Sequence, residues 1–501
     1  MFNLPLVLSV FPFLIFLYFL FIRKTSLLKA SLIILAVYTT LAIFYWKIIP
    51  SSLFLSYGKG FFVALDILII IVGAVFFLEV LKDLKIIKNI SYYLGGISKD
   101  YRIQVIIIAW FLEAFIEGTA GFGTPAAIAV PLLIGLGLPP LRALIVGLLG
   151  NSAPGVFGAA GTPIKVGLAG LNTAGVPLLA SLLNCVGFIV PVFMLWMITK
   201  DRPNKSKEFF KALPFAIWSG LVFVVPSVLF SFMGQEFPTI LGSVVGLIII
   251  IFSIKIGFLV PKESISLSFE NKEKVATMSK AKALLPYAIL ITLLILGKFI
   301  LGSSAILFFV PFKQTFNLFN PGFVFVISGI IVMFIWKEKI KTFFVSIKKA
   351  FNSAINPFLV VFFMLAMVQI MINSGNNYSG LTSAINIITH IFETNLLPFF
   401  APFIGAFGAF MTGSVTVSNI MFGHLFSIAA TNLSMNTSMV LSLGVVGAAA
   451  GNMIALADIL TAEAVTGLKN KEVDILKGVI FPCLSILFIV GIMGLIILKI
   501  I

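Results

Sequence analysis

Apolar runs of about twenty residues recur along this 501-residue chain, divided by short segments in which lysine and arginine collect. A run of that length spans the roughly 30 Å hydrocarbon core of a bilayer as a helix. Spans are therefore predicted at about Leu4–Ile22, Leu32–Ile49, Phe61–Leu81, Pro177–Ile198, Leu213–Phe232, Ile240–Val260, Ala283–Leu301, Phe323–Ile335, Pro357–Ile372 and Val479–Leu498. The basic segments Arg23–Lys29, Lys82–Arg102, Lys200–Lys211, Lys337–Lys349 and Lys469–Lys477 fall at alternate ends of the chain's crossings. Positive-inside topology places them in the cytoplasm and leaves both termini outside. Lys262–Lys282 is the one candidate for a soluble loop.

Between the regular spans the pattern breaks. Ile103–Glu117 is short of a full crossing, then comes GTAGFGTP, then Ala126–Leu138. That last piece makes a helix of about 20 Å, so a re-entrant hairpin is expected rather than two crossings. Gly118, Gly121, Gly123 and Pro125 interrupt it first, and Gly155, Gly158, Gly161 and Pro163 repeat the interruption. Thr124-Pro125 and Thr162-Pro163 each read as an N-cap followed by proline at the first helical position. Half-helix N-termini of this kind present free N–H groups and a positive dipole end to a small anion.

A similar glycine-punctuated stretch, GAFGAFMTGSVTVSN (Gly405–Asn419), follows from the outer face, and Gly451-Asn452 echoes Gly150-Asn151. Broken helices entered from opposite sides suggest inverted-topology repeats. The expected class is an all-α polytopic membrane protein of roughly 11–14 transmembrane helices plus two re-entrant hairpins. It forms a single integral membrane transporter domain over 1–501, with repeat one at about 53–200, scaffold at about 201–344 and repeat two at about 345–501.

Composition narrows the class. Hydrophobic residues make up 60% of the chain and charged ones 10%, far from soluble averages. The net charge of +16 reflects basic cytoplasmic loops, so no nucleic-acid partner is expected. Cys185 and Cys483 lie in apolar runs, and the two histidines, His390 and His424, form no metal-binding pair. No nucleophile elbow or phosphate loop is present, which argues against an enzyme, and no cofactor or metal is called for. The partners expected are a small carboxylate, a proton or sodium, and the lipid bilayer. A homodimer is an assembly this architecture permits.

A carboxylate inside a membrane is costly and marks an ion or proton path. Glu117 lies one residue before the first break, and Glu113 lies one turn earlier on the same face. Asp458 and Glu463 either join that path or meet the cytoplasmic interface. Thr119, Gly121, Gly123, Thr124, Asn151, Ser152 and Thr162 surround the first breaks; Ser414, Thr416, Ser418, Asn419 and Asn452 surround the other. Small hydroxyls, amides and open backbone suit a carboxylate or hydroxy-acid that must bind and also leave. The alternative role for each side chain is a helix cap. Arg142, after Pro139-Pro140, reads as an interfacial anchor, and Lys165 stands between anchor and ligand.

The stretch EAFIEGTAGFGTPAAIAVPLLIGLGLPPLRAL followed by GNSAPGVFGAAGTPI resembles the L-lactate permease family. TGSVTVSN and GNMIALADILTAEA resemble its second conserved region more loosely. The likeness is sharp over about 110–165 and 405–465. It implies proton-linked uptake of L-lactate, glycolate and similar 2-hydroxymonocarboxylates across the cell (plasma) membrane, with paired re-entrant hairpins and elevator movement. Glu117, Thr124 and Asn151 match the family pattern. The chain departs from it at Val415, where the family has an aspartate, and at Asn452, where it has a lysine. Ala455-Leu456-Ala457 also replaces a Ser-Pro-Gln run. The resulting expectation is proton symport with Glu117, Glu113 and Asp458 on the proton path. Sodium-coupled carboxylate transport and an anion channel remain the alternatives.

Overall fold

With no water to bond, backbone in a bilayer must satisfy itself, and helices do so within one segment. The computed structural model is accordingly helical almost throughout, apart from one short pair of antiparallel strands among the described residues. It describes residues 4–23, 25–121, 124–266, 278–301, 305–308, 314–338, 340–466, 468 and 471–500. Gly123, Lys24, Lys339, Lys469 and the middle of the Lys262–Lys282 loop lie outside the described residues.

The first part of the chain runs α1 (Leu4–Leu17), α2 (Leu27–Phe44), α3 (Pro50–Asp83) and α4 (Ile86–Gly95). A π-helical turn, Tyr18–Ile22, carries α1 to the end predicted for it. There follow α5 (Tyr101–Ile106), a π-helical stretch (Ile107–Leu112), α6 (Glu113–Thr119), α7 (Thr124–Gly135) and α8 (Pro140–Gly150). Next come a 3₁₀ turn (Ala153–Phe157), α9 (Gly158–Lys165), α10 (Val176–Leu183), a second 3₁₀ stretch (Asn184–Ile189) and α11 (Val190–Thr199). The central portion holds α12 (Lys205–Ser231), α13 (Pro238–Ile256), α14 (Lys280–Leu301), the antiparallel strands β1 (Ala305–Phe308) and β2 (Gln314–Asn317), and α15 (Pro321–Ile335). The last part runs α16 (Ile340–Asn373), α17 (Ala384–Phe392), α18 (Leu397–Thr412), α19 (Val415–Asn432), α20 (Thr437–Asn452), α21 (Leu456–Thr466) and α22 (Glu472–Ile500).

Among the described residues nine helices are long and apolar enough to cross a membrane, or ten if the bent pair Pro140–Gly150 and Ala153–Lys165 is one span. Three shorter apolar helices, Leu4–Leu20, Pro321–Ile335 and Leu397–Thr412, add to them. Their outward faces carry bare side chains such as Phe44, Phe299 and Phe334. Lipid covers such a surface in a bilayer; in water it would drive aggregation.

Two spans are much longer than predicted. α3 and α16 each have 34 residues and are about 51 Å long at 1.5 Å per residue. Apolar counting started the second at Pro357, yet α16 continues through that proline from Ile340. The reason lies in the polar ends, which pair instead of fraying. Lys349 Nζ lies 3.3 Å from Glu79 and 3.7 Å from Asp83, and Ser346 Oγ donates to Asp83 at 3.2 Å. At the opposite end Asn373 Nδ2 donates to Ser56 Oγ at 2.9 Å.

From α16 onward the order of elements parallels that from α3. Each part opens on a 34-residue helix and continues with a short one, α4 with 10 residues and α17 with 9. An apolar arm, a break and a returning helix follow in both. Each then has a helix ending at Gly-Asn, α8 with Asn151 just beyond it and α20 with Asn452 as its last residue. The returning helix α7 packs on α6 and on the π-helical stretch before it, which is the contact of a hairpin.

The α3–α16 contact sets the frame and depends on small residues. A Cβ on Gly60 would lie 2.7 Å from the Ala366 backbone nitrogen and 2.9 Å from its Cα. Overpacking of this kind costs about 1–3 kcal/mol. Gly60→Val should therefore lower the melting temperature of the purified protein in detergent, whereas Gly135→Ala, with nothing within 4 Å, should not. Equal melting temperatures for the two variants would show that the helices separate freely at this point.

Candidate functional site

Three interruptions of the backbone meet in the interior. The first follows α6. Ala120 leaves the helix and Gly121 takes φ +56°, a left-handed conformation open to glycine. The chain is helical again from Thr124. Glu117 sits in the last turn before this break and is 5% exposed. Its Oε1 lies against Gly158, where any side chain would collide with it. Glycine at 158 therefore makes room for the carboxylate, and Glu117 Oε2 has no hydrogen-bond partner.

The second interruption differs from the one expected. Ala159, Ala160 and Gly161 all have positive φ, at 41°, 53° and 79°. Only about a turn of right-handed helix follows, up to Lys165, so Thr162-Pro163 does not open a half-helix with a dipole of its own. Thr162 is no N-cap either: its hydroxyl donates to the Ala159 carbonyl, which the left-handed run has left free. Neighbouring elements brace this irregular segment. Thr239 Oγ1 donates to the Pro154 carbonyl at 2.9 Å, and Asn419 Nδ2 donates to the Pro163 carbonyl at 2.9 Å.

The third interruption separates α18 from α19. Gly413 takes φ +67°, and a Cβ there would come within 2.7 Å of Ala457 Cβ. Ser414 is extended and caps α19, its Oγ accepting from Val417 N at 3.3 Å. This matches the cap-then-helix arrangement predicted, in a helix of 18 residues. The first-turn N–H groups of Val415 and Thr416 have no acceptor within the helix.

Glu117, Gly121, Gly155, Gly158, Ala159 and Pro163 from the first two breaks face Gly413, Ser414, Val415 and Thr416 from the third. Asn452, from the end of α20, completes the lining. Together they line a narrow, partly open cavity of about 30 Å³. Asn452 Oδ1 has no partner and the residue is 6% exposed. Among the described residues Glu117 is the one ionisable side chain in the lining, which contains no lysine, arginine or histidine. Asp458 lies behind Gly413, close enough to Glu117 for the two carboxylates to interact, with its Oδ2 also unpartnered.

Of the residues singled out from sequence, Glu117, Gly121, Ser414, Thr416 and Asn452 line this cavity. Glu113 does not. It is fully buried beside Ala109 and Gly150, with neither carboxyl oxygen bonded. Asn151 is likewise enclosed, with both amide atoms unpartnered. The hydroxyls of Thr119, Ser152 and Ser418 are committed to the carbonyls of Phe115, Leu149 and Gly405, respectively, and so act as braces. Gly123 and the side chain of Thr124 lie outside the described residues.

Ala159 and Gly413 were not singled out. Alanine in a left-handed conformation has no sequence signature, whereas a glycine before Ser-Val at the end of an apolar run does. Arg142 is an anchor, bonded to the Met197 carbonyl and Asp201. Lys165 is half-buried and outside the lining. Glu463 accepts from Lys471 N at 2.7 Å, which ties it to the start of α22.

The L-lactate permease family profile matches residues 6–320 and 299–501. A relative from Haemophilus influenzae is 30% identical over 78% of this chain and 79% of its own. The glycolate permease GlcA of Escherichia coli K12 is 28% identical, covering 98% of this chain and 95% of that one. The L-lactate permease of the same organism is 27% identical, covering 96% and 93%. With matches over nearly its whole length to permeases rather than enzymes, this multi-pass membrane protein belongs to the L-lactate permease family.

Proposed function

We propose that the chain carries L-lactate or a similar small 2-hydroxymonocarboxylate, such as glycolate, across the plasma membrane together with a proton. The names of its relatives support the substrate class. The observation that carries the coupling is the composition of the cavity: the first turn of α19 faces Glu117, with no basic side chain among the described residues of the lining.

A carboxylate placed at Val415 and Thr416 gains two free N–H donors and the positive end of a helix dipole. Beside it, an ionised Glu117 would repel it at close range in a region of low dielectric, where Coulomb energies are large. Protonating Glu117 removes that repulsion, and its acid O–H then donates to the substrate. The loaded cavity has one negative charge fewer than it would with Glu117 ionised, which lowers the cost of moving it through the bilayer. Glu117 thus holds the coupled proton. Asp458 is the adjoining station on the path, and Glu113 lies one turn behind.

We assign the frame on the same reading. Repeat one covers about 53–200 and repeat two about 345–501, in inverted topology, with both termini outside. The two sets of broken helices would move together as an elevator against the remaining spans.

Three expectations follow for protein reconstituted in liposomes. Glu117→Gln should abolish lactate accumulation driven by a pH gradient while keeping exchange of labelled for unlabelled lactate. Uphill uptake equal to that of the wild type would remove Glu117 from the mechanism. The sign with pH is fixed, because the bound state holds one proton more than the empty one. Above the pH at which Glu117 ionises, apparent affinity should fall about tenfold per pH unit, and in Glu117→Gln it should stay flat. A flat wild-type profile would refute proton-first binding. Replacing sodium with choline at fixed pH should leave uptake unchanged, whereas loss of uptake would transfer coupling to sodium. Currents that do not saturate, without uphill accumulation, would indicate an anion channel.

A further inference from the structure

We infer that Asn452 selects acids bearing a 2-hydroxyl group over 2-oxo and unsubstituted acids, by accepting the hydroxyl proton at its Oδ1. The inference rests on the transport reading above and specifies what one wall of the same cavity does. Two independent features carry it. The first turn of α19 supplies N–H donors at Val415 and Thr416, which fix where a carboxylate sits. Asn452, more than nine-tenths buried, is part of the same lining, and its carbonyl oxygen bonds nothing.

A buried acceptor without a partner is destabilising and calls for a donor. A carboxylate cannot meet that need, because it only accepts. A 2-hydroxyl can, since its O–H donates from the carbon next to the carboxylate. In a 2-oxo acid such as pyruvate, a second acceptor would face Oδ1, and in propionate nothing polar would. Sites built to bond a substrate hydroxyl reject analogues that lack one, because their own polar groups are left unpaired. Of the other acceptors in the lining, Ser414 is occupied in capping α19 and Glu117 is assigned the proton. Thr416 also lines the cavity, but its hydroxyl can donate as well as accept, whereas Asn452 Oδ1 only accepts.

The test is exchange of labelled lactate in liposomes, competed by unlabelled lactate, pyruvate and propionate, for wild type and Asn452→Ala. Wild type should favour lactate over each analogue by at least about tenfold. In Asn452→Ala, lactate should weaken about tenfold while pyruvate and propionate change less than about twofold, so that the preference collapses. Equal weakening of all three acids would make Asn452 a structural part of the wall and overturn the assignment. Should the variant fail to fold, the wild-type ranking still decides: lactate and propionate competing alike would overturn it. Competition by none of the three acids would overturn the transport reading as well, which distinguishes the two failures.

Discussion

A backbone that breaks its helices inside a bilayer must find other partners for the groups it releases, and nearly every polar contact around this site follows from that need. The Pro154 carbonyl is met by Thr239, the Pro163 carbonyl by Asn419 and the Ala159 carbonyl by Thr162. Each of these side chains would look like a ligand-binding group in isolation. Once they are assigned to the backbone, few polar groups among the described residues remain open: the first N–H groups of α19, the Thr416 hydroxyl, Glu117 Oε2, Asn452 Oδ1 and Asp458 Oδ2. The site is what bracing the breaks leaves over. That is also why glycine stands at 158 and 413, where any larger residue would collide with Glu117 or Ala457.

The bracing links parts of the chain that are far apart in sequence. Asn419 reaches across 256 positions to Pro163, and Thr239 across 85 to Pro154. The central helices are therefore more than a passive frame: α13 packs on α6 and on the 3₁₀ turn, with Ile240 and Thr239 against Gly118. The proposed elevator movement needs a surface along which these contacts slide. Single polar bonds between small residues are easier to exchange than a network of long charged side chains. The buried ion pairs lie elsewhere, for example Arg102 with Asp100, whose guanidinium also bonds the Glu208 and Glu263 carbonyls.

Sequence was most informative where chemistry and conformation demand the same residue. Glu117 stands out because acids are rare at such depth, and the break at Gly121 stands out because a positive φ there calls for glycine. Apolar counting also located the crossings, but not their ends. α16 starts 17 residues before Pro357 because Lys349 and Ser346 find Glu79 and Asp83 on a helix some 270 positions away. Long-range pairing of that kind leaves no local signal. The same limit explains Thr119, Ser152 and Ser418. Which hydroxyls bend back to a carbonyl and which face a cavity depends on rotamers and neighbours, not on residue type.

The parallel order of the two parts makes their differences informative. Gly150-Asn151 and Gly451-Asn452 hold matching places at the ends of α8 and α20, yet only Asn452 borders the cavity. Asn151 is enclosed, and Glu113 is buried against the Gly150 that precedes it. The first part contributes the acid and an irregular, left-handed wall with no N-terminal dipole at Thr162. The second contributes a capped helix of 18 residues and an open amide oxygen. A symmetric pair of sites would present two anion-binding ends to one small acid and leave one of them unfilled in the membrane interior. On the proposed reading this division of tasks leaves a single carboxylate position, with the proton on one side and the hydroxyl acceptor on the other. Specificity and coupling would then come from the places where the two parts fail to match.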